Sequence, residues 1–181
     1  MDDKTMEYVQ EFYDSEDYMV YPLTPEDKKV TSSDVESVEK ILEIKFPEEY
    51  KAHILGTYPG MLIEVKEDIW PRRRGGGAAW EFFYGLQTFT ASKYSENWMR
   101  LEFGGKGYKK NTGLKIVPIL RIIQDADDYC VTENGTIVQY SHEENNITEI
   151  NMNFWELLEK ELKALNKRKE EMKIKVGNKN K

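Results

Sequence analysis

Two histidines and one cysteine are the side chains that could act as a nucleophile, a base or soft metal ligands: His53, His142 and Cys130. A zinc site would need most of them, together with carboxylates from distant positions. His142 starts like the H-E-x-x-H zinc motif, but Asn146 takes the place of its second histidine. His53 lies in a predicted helix and Cys130 in a predicted strand, where both are expected to be structural. The sequence predicts no metal site, no cofactor and no catalytic residue.

A second group of reactive side chains is acidic and consists of Asp125, Asp127, Asp128 and Glu133. Carboxylates at this density could serve acid–base chemistry or bind a divalent cation. The calcium-loop pattern fails, however, because an aromatic residue and a cysteine follow Asp128. We interpret the group as a turn before a strand, in which aspartates accept hydrogen bonds from nearby backbone amides. Contact with a partner and metal binding are the alternatives.

Three arginines and three glycines follow one another from Arg72 to Gly77. Guanidinium groups and glycine amides can hold phosphate, but the Lys-Ser or Lys-Thr ending of a P-loop is missing. We interpret the run as a solvated loop between strands, with an anion or partner site as the alternative. The glycines of Gly104–Gly107 predict a second, mobile loop. Trp70, just before the arginines, is the candidate for a partly exposed aromatic anchor.

Two helices are predicted to begin the folded body. Ser33 and Glu36 match the S-x-x-E capping box. Apolar side chains then fall on one helical face: Val35, Val38, Ile41 and Leu42. Pro47 suits the first position of a second helix, which Gly56 is expected to end. The sequence therefore predicts two short helices ahead of any strand.

Strand-forming residues follow, and a helix comes last. Aromatic and β-branched residues dominate stretches at 61–65, 80–90 and 114–123, and Asn134-Gly135 predicts a tight hairpin turn further on. Asn153 caps an amphipathic helix with a capping Glu156 and an apolar stripe formed by Phe154, Leu157, Leu158, Leu162 and Leu165. Trp155 beside this stripe is expected in the core. The order of helices, sheet and helix predicts an α+β fold.

Composition limits the classes of protein. The chain has 181 residues, 39% of them apolar, which is enough for one sizeable core and short for two. Its 26 basic and 33 acidic residues give a net charge of −7, which argues against a general nucleic-acid or anionic-membrane binder. The longest apolar run is far below the roughly 18 residues of a spanning helix. With one cysteine and no visible signal peptide, the chain is expected to be cytoplasmic.

The distribution of charge predicts three segments. Residues 1–30 form an acidic, aromatic N-terminal extension, residues 31–166 the folded domain and residues 167–181 a basic C-terminal tail. The extension is too rich in aromatic side chains for a solvated tail, so it is expected to pack on the body or on a partner. The tail is expected to fray at its end.

Several stretches, in this order, resemble the SUKH superfamily. They are Val38–Leu42, Phe46–Lys51, Ile63–Arg72, Trp80–Leu86, Asn97-Trp98, Pro118–Leu120, Asp125–Cys130 and Glu133–Gly135, and together they span residues 32–162. The resemblance implies a SUKH-like α+β fold, with a central, mostly antiparallel sheet on which N-terminal helices and the C-terminal amphipathic helix pack. The superfamily includes a fungal regulator of cell-wall glucan synthesis and many bacterial immunity proteins, which bind and block toxins that are often nucleases.

The resemblance implies a non-catalytic, intracellular protein-binding module. We hypothesise an immunity protein, or antitoxin, that neutralises a basic, nuclease-type toxin domain, since an acidic protein is steered towards a basic partner. The alternatives are a regulatory scaffold like the fungal relatives and a small enzyme that uses Asp127 or Asp128 with an arginine. The predicted partner-binding residues are Trp70, Arg72, Arg73, Asp127 and Asp128. The sequence leaves the oligomeric state open.

Overall fold

The structure is a computed structural model that describes residues 3–72 and 83–179. Within these residues the helices are α1 (Lys4–Asp14), α2 (Ser32–Leu42), α3 (Glu48–Ile54), α4 (Leu101–Thr112) and α5 (Phe154–Lys179), with a 3-10 turn at Asn97–Met99 before α4. The strands are β1 (Tyr18–Pro22), β2 (Met61–Val65), β3 (Tyr84–Thr88), β4 (Ile116–Ile122), β5 (Asp128–Thr132), β6 (Ile137–Ser141) and β7 (Asn146–Glu149). The predicted α+β class is confirmed.

The described strands form one antiparallel sheet in chain order, from β1 at one edge to β7 at the other. Each strand pairs antiparallel with the next, and the register between β4 and β5 shifts between Pro118 and Leu120. The predicted hairpin joins β5 to β6, where Gly135 has a φ angle of 81°. Because neighbouring strands run in opposite directions, the ends of β2, β4 and β6 lie beside the starts of β3, β5 and β7. Loops that are distant in sequence therefore meet at one end of the sheet.

The main core lies between one face of the sheet and α1, α3 and α5. Phe154, Leu157 and Leu158 of α5 are fully buried, and each such side chain contributes roughly 2 kcal/mol. Trp155 is also in this core, as predicted. Asn153 begins the helix as predicted, since its side-chain oxygen accepts a hydrogen bond of 3.0 Å from the Glu156 backbone N–H. The predicted packing of a C-terminal amphipathic helix on the sheet is confirmed.

The predicted mobile glycine loop at residues 104–107 is wrong, because these residues lie inside α4. The helix packs closely against β4, and a Cβ atom on Gly104 would come within 2.6 Å of the Pro118 side chain. A Cβ atom on Gly105 would similarly meet Leu42 of α2 at 2.9 Å. Gly104 and Gly105 therefore let the backbone of α4 approach its neighbours, whereas a Cβ atom on Gly107 would meet nothing within 4 Å.

The first predicted helix forms, but its cap differs from the prediction. Thr31 is the N-cap of α2 and exchanges hydrogen bonds with Asp34, so the capping box lies two residues before the predicted pair. Val38 is buried as predicted, whereas Ile41 is 48% exposed, at the margin of the apolar stripe. Pro47 is the N-cap of α3 rather than its first residue. Thr31 with Asp34 and Ser33 with Glu36 both have the spacing of a capping box, so the sequence alone does not show which pair caps α2.

The prediction that two helices precede any strand is wrong, because α1 and β1 come first. Asp3 caps α1 by accepting a hydrogen bond from the Thr5 N–H at 2.9 Å, and Val9 and Phe12 face the core. Tyr18 of β1 pairs with Val65 of β2. This acidic, aromatic segment therefore adds a helix and an edge strand to the sheet.

The segment predicted to fray is helical as far as Lys179. Lys169 and Lys173 of α5 donate hydrogen bonds of 2.7 and 2.6 Å to Asp17, just before β1. Lys169 is 5% exposed at its side chain, so this contact lies within the packed part of the molecule. The contacts order the first turns of the basic segment, since its cations have a carboxylate partner.

Candidate functional site

Two loops that carry the predicted partner-binding residues lie at the same end of the sheet. Trp70 and Arg72 follow β2, whereas Asp127 and Asp128 lie at the start of β5. Three inter-strand spacings, about 14 Å, separate β2 from β5. Arg73 lies outside the described residues. The antiparallel order of the strands therefore brings two candidate surfaces to a single end of the molecule.

Trp70 is half-buried, with one face of its ring against the start of β3. The ring stacks on Tyr84 at a centroid distance of 3.7 Å and an interplanar angle of 11°. The remaining surface of the indole is accessible at the edge of the main core. A partner could therefore contact one face of Trp70 while Tyr84 holds its orientation.

Arg72 pairs with a buried carboxylate of β2. Its guanidinium donates a hydrogen bond of 2.8 Å to Glu64, whose side chain is 5% exposed. Glu64 lies on the opposite face of the sheet from Ile63 and Val65, because side chains alternate along a strand. The arginine compensates a buried negative charge and so holds the loop after β2 against the sheet.

Asp128 is part of a buried network at the start of β5. Arg121 of β4 donates two hydrogen bonds of 2.7 Å to its two carboxylate oxygens, and the Tyr108 hydroxyl of α4 donates a third at 2.6 Å. Burial, together with the negative charge of Asp128, raises the pKa of Tyr108, so that its hydroxyl stays protonated. Asp128 is 4% exposed at its side chain. Its carboxylate fixes β4, β5 and α4 together rather than facing solvent.

Asp127 links two of the loops at this end. Its N–H donates to the Asp125 side chain at 3.1 Å, and its own carboxylate accepts from the His142 N–H at 2.9 Å. These contacts are the turn chemistry expected from the sequence. They join the connection before β5 to the connection after β6, where Glu143 and Glu144 are exposed.

The carboxylates around Asp127 belong to a long stretch without positive charge, residues 122–159, here termed the acidic segment. It contains nine acidic residues and neither lysine nor arginine. Seven of the nine are exposed, which makes this a surface property: Asp125, Glu133, Glu143, Glu144, Glu149, Glu156 and Glu159. In the described part of the chain, no ion pair neutralises Asp125, Glu143, Glu144 or Glu149. The sequence analysis missed this surface, although the gap in lysine and arginine is visible in the sequence.

Of the three side chains that could act as a nucleophile, a base or a soft metal ligand, His53 and Cys130 are buried in the core and His142 is exposed. His53 is fully buried, between Thr5 Oγ1 at 3.0 Å and Thr88 Oγ1 at 2.7 Å, and burial lowers its pKa to about 3. Burial also raises the pKa of Cys130 in β5, so the thiol is protonated. Both were interpreted as structural side chains, and their burial agrees. Among residues 3–72 and 83–179, no three His, Cys, Asp or Glu side chains are grouped to hold a metal ion.

Within the described residues, no helix has both the length and the apolar character needed to cross a membrane. No curated protein and no solved structure significantly matches the chain. The SMI1 / KNR4 family (SUKH-1) matches residues 29–160, which extend from the approach to α2 into α5. This match confirms the resemblance found in the sequence, and the chain therefore belongs to the SMI1 / KNR4 family (SUKH-1).

Proposed function

We propose that this protein is a cytoplasmic immunity protein that binds a basic, nuclease-type toxin domain and blocks its active site. SUKH domains are protein-binding modules and are generally non-catalytic, so family membership supports a protein partner. Such a protein acts stoichiometrically, by covering a surface rather than by turnover. Residues 29–160, which match the family, contain the loops described above.

The observation that carries this proposal is the acidic segment. Its exposed carboxylates at Asp125, Glu143, Glu144 and Glu149 have no cation beside them in the described structure. Nucleases hold phosphates with basic side chains, so the surface around their active sites is positive. Opposite charge on the inhibitor raises the association rate and orients the complex.

The predicted residues take different parts in the proposed contact. Asp127 lies among the exposed carboxylates and faces the partner together with them. Trp70 and Arg72 lie on the β2 side of this end and provide an aromatic and basic margin. Arg73, the next residue in the sequence, is proposed to contact the partner as well. Asp128 is buried and supports this surface from inside the protein, because its ion pair with Arg121 fixes the start of β5.

A charge-matched pair of variants tests the proposal. One variant combines Asp125→Asn, Glu143→Gln and Glu144→Gln, and its control removes three exposed carboxylates elsewhere, at Glu26, Glu36 and Glu171. Tagged full-length proteins are used to capture partners from the lysate of the source cells. Each captured chain is then expressed alone and together with the immunity candidate.

The expected result is one basic chain, bound at equal stoichiometry, that stops growth alone and is harmless when co-expressed. The acidic-surface variant should bind it at least about tenfold more weakly, and association should slow as salt rises. The control variant should bind like the natural sequence. Equal binding by both variants, or a salt-independent association rate, contradicts the charge argument.

A regulatory scaffold is the second candidate, and the family match favours it as well, because the SMI1 / KNR4 family includes regulators. In this case the captured chains would be non-toxic host signalling proteins. Expression of each captured chain alone separates the two functions, since only a toxin stops growth.

A further inference from the structure

The outer edge of β7 is open. β7 is the last strand of the sheet, all four of its residues are exposed, and no described strand lies on its far side. Only its inner edge is paired, with β6. An exposed strand edge presents backbone groups that can pair with another chain.

The register with β6 shows which backbone groups of β7 point outward. The Ile150 N–H donates to the Ile137 carbonyl at 3.0 Å, just beyond the strand. Hydrogen-bonded and non-hydrogen-bonded pairs alternate along an antiparallel ladder. Thr148 therefore bonds inward to β6, whereas the N–H and C=O groups of Ile147 and Glu149 point away from the sheet. A segment lying against β7 would find two residues ready to pair.

The side chains of the two outward-pointing residues lie on one face of the sheet. Ile147 pairs with Tyr140 in the register and is 39% exposed, so it offers an apolar contact beside a buried ring. Glu149, two residues on, offers an exposed carboxylate. An added strand would therefore complement this face with an apolar residue opposite Ile147 and, two positions along its own chain, a basic residue opposite Glu149.

Charge decides between the possible occupants of this edge. β7 lies within the acidic segment, with Glu143 and Glu144 just before it and Glu149 at its end. A second copy of this chain would bring the same carboxylates into contact and would be repelled. A basic partner segment would not be repelled in this way, because the acidic segment contains neither lysine nor arginine.

We propose that the outer edge of β7 binds an extended, basic segment of a protein partner as an eighth strand of the sheet. The outward N–H and C=O groups of Ile147 and Glu149 provide the hydrogen bonds, and Glu149 pairs with a cationic side chain of the added strand. The identification of that partner as a toxin rests on the proposed function, but the edge itself does not.

The test uses the full-length, ¹⁵N-labelled protein and a synthetic peptide that repeats valine, threonine, lysine and threonine, so that valine and lysine alternate on one face of the strand. A peptide with glutamate in place of lysine is the charge control. The lysine peptide should slow amide hydrogen exchange at Ile147 and Glu149 about tenfold at saturation, and the glutamate peptide should not. Amides of β1 should be unaffected.

Two variants separate backbone pairing from general attraction. Ile147→Pro removes an outward N–H and leaves the inner ladder intact, since proline is tolerated at such edge positions. It should raise the Kd for the lysine peptide about tenfold, whereas Ile147→Val should change it less than about twofold. Glu149→Lys keeps the backbone and should also weaken binding about tenfold, so the test does not depend on how well the proline variant folds.

Slowed exchange at both amides, together with the loss of affinity in Ile147→Pro, supports the eighth strand. Unchanged exchange, protection at β1 instead, or equal affinities for the proline and valine variants overturns it. If the lysine peptide binds the β7 edge but no captured chain is a toxin, only the immunity role is overturned. If Ile147→Pro neutralises a captured toxin as well as the natural sequence does, only the edge proposal is overturned.

Discussion

The two outer edges of the sheet differ in what covers them. At the β1 edge, Tyr18 is 5% exposed and donates a hydrogen bond of 3.0 Å to Asn166 of α5. Asp17 beside it is held by Lys169 and Lys173, and α1 packs against the strand. At the β7 edge all four residues are exposed. The start of β1 is covered by helices, although Tyr21 and Pro22 at its end are exposed, whereas β7 is exposed along its whole length.

The difference follows the limits of the family match. α1, β1 and the part of α5 that carries Lys169 and Lys173 all lie outside residues 29–160. These added segments cover the edge that β2 would otherwise present. Charge follows the same division, because cations of α5 neutralise Asp17, while the carboxylates near β7 have no such partner in the described residues. The contacts at β1 contribute stability, and the exposed edge of β7 is the one proposed to bind a partner.

The largest predicted effect is on the β7 side. Arg121→Ala should lower the free energy of unfolding by about 3 kcal/mol, because the buried carboxylate of Asp128 loses its paired cation. Chemical denaturation measures this. Lys163→Ala is the control, since its exposed pair with Glu159 should be worth no more than about 0.5 kcal/mol. Similar losses in both variants would mean that the Asp128 network does not hold the acidic half of the sheet together.

A smaller effect on the free energy of unfolding is predicted when the pH is lowered, because of His53 on the β1 side of the molecule. Burial lowers the pKa of His53 to about 3, and the unfolded chain has the ordinary histidine pKa of about 6.5. The unfolded state therefore binds more protons between these values, so the stability from neutral His53 is complete above pH 6.5 and is lost as pH falls. From pH 6.5 to 4.5 the loss should be about 2 kcal/mol.

Denaturation at several pH values measures this slope. His53→Gln, which cannot titrate, should be less stable at neutral pH but should lose less on acidification. Because His53 bonds to Thr5 of α1, the protection factors of α1 amides, corrected for the intrinsic exchange rate at each pH, should fall on acidification more than those of β6. Equal slopes for the natural sequence and His53→Gln would contradict this interpretation.

The smallest effect is predicted at the contact that closes the β1 edge. Lys169→Met should cost about 1 kcal/mol, because Lys173 still pairs with Asp17 when Lys169 is lost. Hydrogen exchange at β1 amides should accelerate, and exchange at β6 should not. Lys175→Met, at an exposed position of the same helix, is the matched control. Faster exchange in both variants would show that helix charge in general, rather than this ion pair, closes the edge.

Local signals predicted much of the fold. Asn153 with Glu156 specified a helix start and Asn134-Gly135 a hairpin, because caps and tight turns involve only a few adjacent residues. The apolar stripe of α5 placed Trp155 in the core. The α4 glycines were misinterpreted, because their role depends on Pro118 and Leu42, which are distant in the sequence. Likewise, β1 was missed because only pairing with β2 makes that short segment a strand.

The candidate site was predicted only in part. Asp127 and Asp128 are adjacent in the sequence, yet one bonds to the next loop and the other is buried against Arg121. Successive side chains of a strand point to opposite faces, so neighbours in sequence enter different environments. Trp70 was a reasonable candidate from its position, but its stacking on Tyr84 depends on strand pairing.

The sequence by itself determined the fold class, the family, the capped helices, the hairpin and the excess of negative charge. Each of these depends on composition, on residues within a few positions of one another, or on the order of such short stretches along the chain. Only the tertiary structure decided that the loops after β2 and before β5 lie at one end of the sheet, that Asp128 is internal and that the start of β1 is covered while β7 is exposed. These properties depend on contacts between distant residues, and the order of strands in the sheet fixes such contacts.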